Sequence, residues 1–259
     1  MLVQVLSDCH IECYKSYPML IQTADILILA GDIGHIDKPS YTDFINYVSS
    51  IWKRVIITLG NHEFYSNHDS YNSLMERYIT LFEKYDNVEL LEKNESKIEG
   101  YRVLGLVFWS EHKNPTLMNC PKKITGSFAQ DGKRIKIGVD AINELHSKSV
   151  EWLVNTYDPD IPTIIVTHYP LTRDSQYTRQ ERFNNESDIK LYEFTNELPV
   201  KPRSKLICIS GHTHFSHDFV DEYGVRYISN QYGYPFELKK GITNCNNNLT
   251  FDIGEPVII

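Results

Sequence analysis

The chain has 259 residues, with 26 Lys+Arg against 34 Asp+Glu, for a formal net charge of −8. Its 41% hydrophobic and 23% charged residues exclude a disordered tail, a collagen-like rod and a coiled coil, and its length suits one large domain, taken as residues 1–259. The acidic balance excludes general nucleic-acid binding, which needs a basic face, and leaves room for a local positive site.

Val3–Leu6 reads as a buried strand, preceded by neither the basic region nor the cleavage site of a signal peptide. Ile26–Ala30 is a second strand. It is the longest apolar run, far short of the roughly 18 residues of a membrane span. Ser40-Tyr41-Thr42-Asp43 predicts a capping box opening a helix that carries Phe44, Tyr47, Val48 and Ile51 on one face. Val55–Leu59 is a third strand. From Asp69, Leu74, Met75, Tyr78, Leu81, Phe82 and Tyr85 recur at helical spacing. Ile98-Glu99-Gly100-Tyr101 predicts a hairpin whose second strand runs through Val103 to Phe108.

Ile142, Leu145, Ser149, Val150 and Leu153 form a third helical face, and a weaker helix is expected over Ser187 to Leu198. Ile164–Val166 and Leu206–Ile209 are further buried strands. Tyr223-Gly224 predicts a two-residue connection between Phe219–Glu222 and Val225–Ser229. Lys113–Lys136 and Thr172–Arg203 lack periodicity and are expected as insertions near the site. Strands alternating with helices, then hairpins, predict a mixed α/β domain. The five cysteines, Cys9, Cys13, Cys120, Cys208 and Cys245, are odd in number and irregularly spaced, which predicts reduced thiols and a cytoplasmic location. Cys9 and Cys13 flank His10, but no second Cys pair comes later in the chain to complete a structural zinc site.

The residues just after each strand carry the chemistry. The five strands run into Ser7-Asp8-Cys9-His10, Gly31-Asp32, Gly60-Asn61-His62-Glu63, Thr167-His168 and Ser210-Gly211-His212-Thr213-His214. Singly, each is an ordinary turn or capping signal. Together they converge on the crevice beyond the strands' carboxyl ends, where open α/β sheets bind ligands. In extended chain, residues two apart point the same way, which pairs Asp8 with His10 and His212 with His214. Imidazole, carboxylate and amide oxygen suit Zn, Mn, Fe or Ni, and there are too many donors for one tetrahedral ion.

The series resembles the calcineurin-like metallophosphoesterase superfamily, whose motifs run D-x-H, G-D, G-N-H-[DE], H and G-H-x-H, over Leu2 to about Pro235. Ser7-Asp8-Cys9-His10-Ile11-Glu12 and Asn230-Gln231-Tyr232-Gly233-Tyr234 are also similar to the S-D-x-H-x-E and N-x-x-G-Y elements of one branch of small, single-domain members.

The resemblance implies a four-layer αββα sandwich: two mixed β-sheets flanked by helices, with the metal site at the strand C-terminal ends. It implies that Asp8, His10, Asp32 and His214 hold one divalent ion, and that Asp32 bridges to a second held by Asn61, His168 and His212. It also implies that a hydroxide between the ions attacks phosphorus in line while His62, not itself a ligand, acts as general acid.

The protein phosphatases of that superfamily carry G-D-x-V-D-R-G where this chain reads Gly31-Asp32-Ile33-Gly34-His35-Ile36-Asp37. The arginine that grips a phosphomonoester and the Asp that orients the catalytic His are both missing there. The expected activity is therefore phosphodiesterase, with phosphomonoesterase as the alternative. A non-catalytic scaffold ranks low because all seven ligand positions and His62 are kept. A small phosphate ester, nucleotides included, is the expected substrate, with no membrane partner. His68, His112, His146 and His217 are expected at the surface or at caps, His35 in a solvated loop, and the basic stretch Lys113, Lys122, Lys123, Lys133, Arg134 and Lys136 in a solvated insertion.

Overall fold

The computed structural model describes residues 1–112, 123–174 and 195–254. Strands β1 (Leu2–Leu6), β2 (Ile26–Ala30) and β3 (Arg54–Thr58) pair in parallel. Short β4 (Val88–Leu90) and β13 (Thr250–Asp252) complete a sheet of order β13-β1-β2-β3-β4, with β13 antiparallel. The second sheet has order β11-β12-β10-β9-β6-β5. Its centre is the parallel trio β6 (Tyr101–Leu106), β9 (Thr163–Thr167) and β10 (Leu206–Ile209). β5 (Asn94–Ile98) pairs antiparallel with β6, and β11 (His217–Val220) antiparallel with β12 (Arg226–Ser229).

Side chains alternate across each strand, and in the inner strands both faces are mostly apolar. Leu27 and Leu29 of β2 face helices α1 (Pro39–Ile51) and α2 (Tyr71–Phe82), while Ile28 and Ala30 face the other sheet. In β10, Ile207 and Ile209 meet the first sheet, and Leu206 and Cys208 pack with Leu153 of helix α3 (Val139–Thr156). Two sheets thus share an inner core and each is covered outside by helix, the expected four-layer sandwich.

Several local expectations change. α1 begins with Pro39 at its first position and Lys38 as its cap, without a side-chain capping bond. A proline whose φ is preset for the first helical turn displaces the predicted Ser40 box. α2 is capped by Ser70, whose hydroxyl accepts the Ser73 N–H at 3.2 Å. The β11–β12 connection spans Asp221–Val225, not two residues, because the Asp221 carboxylate accepts the N–H groups of Tyr223 and Val225, each at 2.9 Å.

β6 ends at Leu106, short of Phe108. Of the expected insertions and the Ser187–Leu198 helix, residues 113–122 and 175–194 lie outside the described residues. Thr195–Leu198 is irregular, and the first insertion contains the hairpin β7 (Thr125–Phe128) to β8 (Arg134–Lys136). Among the described residues no helix is long and apolar enough to cross a membrane.

Candidate metal centre

Three of the five site-bearing strand ends, those of β1, β2 and β10, leave their sheets through sharp turns. Asp8 (φ 53°), His10 (42°), Asp32 (52°), His212 (75°) and His214 (55°) all take the left-handed region, which costs a non-glycine residue roughly 1–2 kcal/mol. Alternation along extended chain is therefore not what pairs these donors. Asp8 and His10 both face the cleft because each sits in a tight turn, locked by Asp8 N–H to Gly31 O and His10 N–H to Asp32 O, both 3.0 Å. Cys9 between them points into the core. Gly60 and Gly211 serve as spaces rather than bends. A Cβ on Gly60 would lie 2.2 Å from Asp32 Oδ1, and one on Gly211 would lie 2.5 Å from Asp8 Oδ2.

The seven predicted ligands come together in two groups that meet at Asp32. In one, His10 Nε2 lies 3.0 Å from His214 Nε2 and 3.8 Å from Asp32 Oδ2, and His214 Nε2 lies 3.4 Å from Asp8 Oδ1. In the other, His168 Nε2 lies 3.4 Å from Asp32 Oδ1, 3.1 Å from Asn61 Oδ1 and 3.2 Å from His212 Nδ1. Asp32 thus turns one carboxylate oxygen to each group. The triads Asp8, His10, His214 and Asp32, His168, His212 each bring their donor atoms within 4.8 Å of one another. His10, Asp32 and His62 form a third such triad. Nitrogen and oxygen donors without a thiolate fit divalent transition ions.

Partners behind the donors fix them. His168 Nδ1–H donates to Ala30 O at 3.0 Å, leaving Nε2 to face the cleft. His214 Nδ1 pairs with the buried Glu237 carboxylate of helix α4 (Pro235–Lys239). Asn61 Nδ2 donates to Tyr65 Oη at 2.7 Å, turning its amide oxygen towards His168. Glu63, fully buried, accepts backbone N–H bonds from Asp32, Ile33, Gly34 and Gly60, and so clamps the turns after β2 and β3 together.

The electrostatics arise from burial of opposite charges. Against the penalty of burial, His214 holds Asp8 below its ordinary carboxylate value, and His168 and His62 hold Asp32 well below it. Against the same penalty, Asp32 raises His168 to about 9, and Asp8 and Glu237 raise His214 to about 9. Burial, helped by His168, pushes His212 well down. The two carboxylates give the pocket its demand for positive charge.

His62 sits at the edge of the cleft. Its Nδ1 lies 3.3 Å from Glu12 Oε1, and its Nε2 lies 2.9 Å from the Tyr234 hydroxyl. Tyr234 stacks on His10, with centroids 4.2 Å apart. These neighbours were not assigned from the sequence. Glu12 and Tyr234 both lie in recognised motifs but had no assigned role, and Glu63 stood in its motif as a bare letter. Glu237 had no local signal at all. Within the N-x-x-G-Y element, Asn230 ties the chain to Val5 O at 2.8 Å and Gly233 takes φ 86°, which together present the Tyr234 ring to the site.

The other histidines divide. His68 is exposed and His146 half-buried, with Nδ1 at 2.7 Å from Trp109 O, but His112 and His217 are buried rather than at the surface. His35 is mostly buried, turned to Asp37 Oδ2 at 3.4 Å, not solvated. Of the basic stretch, Lys113 and Lys122 lie outside the described residues. Lys133 is an exposed partner of Asp131, while Lys123 Nζ sits 4.8 Å over the Tyr65 ring, which itself packs 4.5 Å from His62.

Buried oxygen and nitrogen donors gathered at the ends of parallel strands make a site suited to divalent metal ions. Residues 1–216 match the family model described as calcineurin-like phosphoesterase, and the chain belongs to that family. A curated relative, an uncharacterized protein of Acanthamoeba polyphaga mimivirus, is 26% identical over 99% of this chain and 98% of its own length. Among solved structures, phosphopantetheinyl hydrolase from Mycobacterium tuberculosis shares the fold at TM-score 0.60 and 17% identity, covering 92% of this chain and 91% of that one. A dimetal phosphatase from Danio rerio is more distant, at TM-score 0.43 and 12% identity over 89% and 87%.

Proposed function

We propose that the protein is a phosphodiesterase acting on small esters. In this reading Asp8, His10, Asp32 and His214 hold one divalent ion, Asp32, Asn61, His168 and His212 hold a second, and His62 is the general acid. The observation that carries it is Asp32, with one carboxylate oxygen turned to each group of donors. Two divalent cations held there, whether Mn, Fe, Zn or Ni, supply an activated water and neutralise charge on phosphoryl oxygens.

The chain's own residues do the rest. Glu63 and the left-handed turns keep the donors fixed before substrate arrives. His62, on the open side, passes a proton from Nε2 to the departing oxygen, at the place where the Tyr234 hydroxyl now lies.

A diester carries one negative charge where a monoester carries up to two, so it needs less from a gripping cation. Position 36 is isoleucine, and Arg77 is tied to Asp37 at 2.7 Å and to Asp69. The position of the protein phosphatases' gripping arginine thus offers no cation here, which supports diester specificity. Tyr65, Tyr234 and the exposed Phe236 stacked on Tyr234 offer flat surfaces at the mouth, so nucleotide esters belong among the substrates tried. The free thiols of Cys9, Cys13, Cys208 and Cys245 suit a reducing cytoplasm.

Aryl diesters and monoesters assayed with each ion test this reading. Diesters should show the higher kcat/KM. His62→Ala should lose about 10²- to 10⁴-fold in kcat with metal content intact, and Asp32→Ala should lose metal and turnover together. Faster monoester turnover would reverse the specificity, and full activity in His62→Ala would remove its role.

A further inference from the structure

We propose that Glu12 is the positioning residue of His62, aiming its Nε2 into the cleft. The proposal rests on the reading of His62 as general acid. In the Gly31–Asp37 segment the place where protein phosphatases carry an orienting Asp is held by His35, which turns to Asp37 instead. The carboxylate behind the catalytic imidazole comes from another part of the chain. Directly after His10 the backbone enters a single 3-10 turn, Ile11–Cys13, which swings Glu12 back towards the cleft. Its Oε1 stands 3.3 Å from His62 Nδ1.

A hydrogen bond at Nδ1 leaves Nε2 as the ring atom facing substrate and resists a half-turn of the ring. The ring is packed as well, against His10 at 4.4 Å and Tyr65 at 4.5 Å.

Glu12 Oε1 also lies 3.4 Å from His10 Nδ1, so a rival role is the support of a metal-binding side chain. Packing separates the two. His10 is fully buried under the Tyr234 ring and has little freedom to lose. The His62 side chain is 18% exposed at the open edge, where its polar contacts are Glu12 and a tyrosine hydroxyl that substrate must displace. Removing Glu12 therefore releases His62 first.

A double-mutant cycle tests this on the metal-loaded enzyme, with E12A, E12Q, H62A and E12A/H62A, using aryl diesters of graded leaving-group pKa and elemental analysis of each protein. E12A should keep the wild-type metal content and KM and lose about 10- to 100-fold in kcat, most with the poorest leaving group. E12Q, whose amide oxygen can still accept from Nδ1, should lose less. In the H62A background, E12A should change kcat less than about twofold, because two residues acting through one imidazole are not additive.

Equal losses from E12A in both backgrounds would overturn the proposal, as would loss of metal in step with activity, which would assign Glu12 to His10. Full activity in H62A alone would instead sink the general-acid reading, a result readable before Glu12 is touched.

Discussion

At the scale of single residues, the site is built from spaces as much as from side chains. Gly60 lies against Asp32 so closely that a methyl group would meet both its Oδ1, at 2.2 Å, and its backbone nitrogen, at 2.5 Å. Gly60→Ala should therefore lose metal and activity with little change in secondary structure, measured by elemental analysis beside circular dichroism. A variant with full metal content would show that the β3 turn yields. The gathering of the proposed ligands was legible because each stands at a fixed offset from a buried strand, and spacing in sequence survives folding. Their conformation was not, since alternation assumes extended chain and five of the seven are left-handed. Nor were the pairings of Glu12 with His62 and Glu237 with His214, which arise only where distant segments meet.

At the scale of elements, the inner strands were readable because both of their faces are buried, so that Val, Ile and Leu dominate them. β4 and β13, three residues each, are too short to show a period. Helix starts were decided by competition between signals. Ser70 bonds the N–H of Ser73, whereas Ser40 sits inside a helix already begun by Pro39. Ser70→Ala should cost about 1 kcal/mol in urea unfolding and Ser40→Ala close to nothing; equal losses would contradict the assigned start of α1. The Ser70 cap matters to the site because Tyr71, the first residue of α2, stacks at 4.3 Å on Phe64, the neighbour of the Glu63 clamp.

At the scale of the whole molecule, the buried His112 makes stability depend on pH. Burial, with help from His146, lowers it to about 4. Above its unfolded value near 6.5 both states are neutral and the residue is silent. As pH falls below that, the unfolded chain takes up the proton first, so stability is lost down to about pH 4. Between pH 7.5 and pH 5 the loss is about 2 kcal/mol. His112→Gln should lose that much less than wild type over the same range in denaturant titrations, and parallel losses would place the effect elsewhere.

The arrangement of donors also orders events in time. Asp8, His10, Asp32 and Asn61 leave the first sheet, while His168, His212 and His214 leave the second, and each group draws on both. A chain still being synthesised can finish its first strands, yet neither group is complete until His168, His212 and His214 have been made and docked. With ions held as proposed, metal capture would be among the last steps of assembly and each ion would tie one sheet to the other, so that a chelator would act on folding as well as on catalysis.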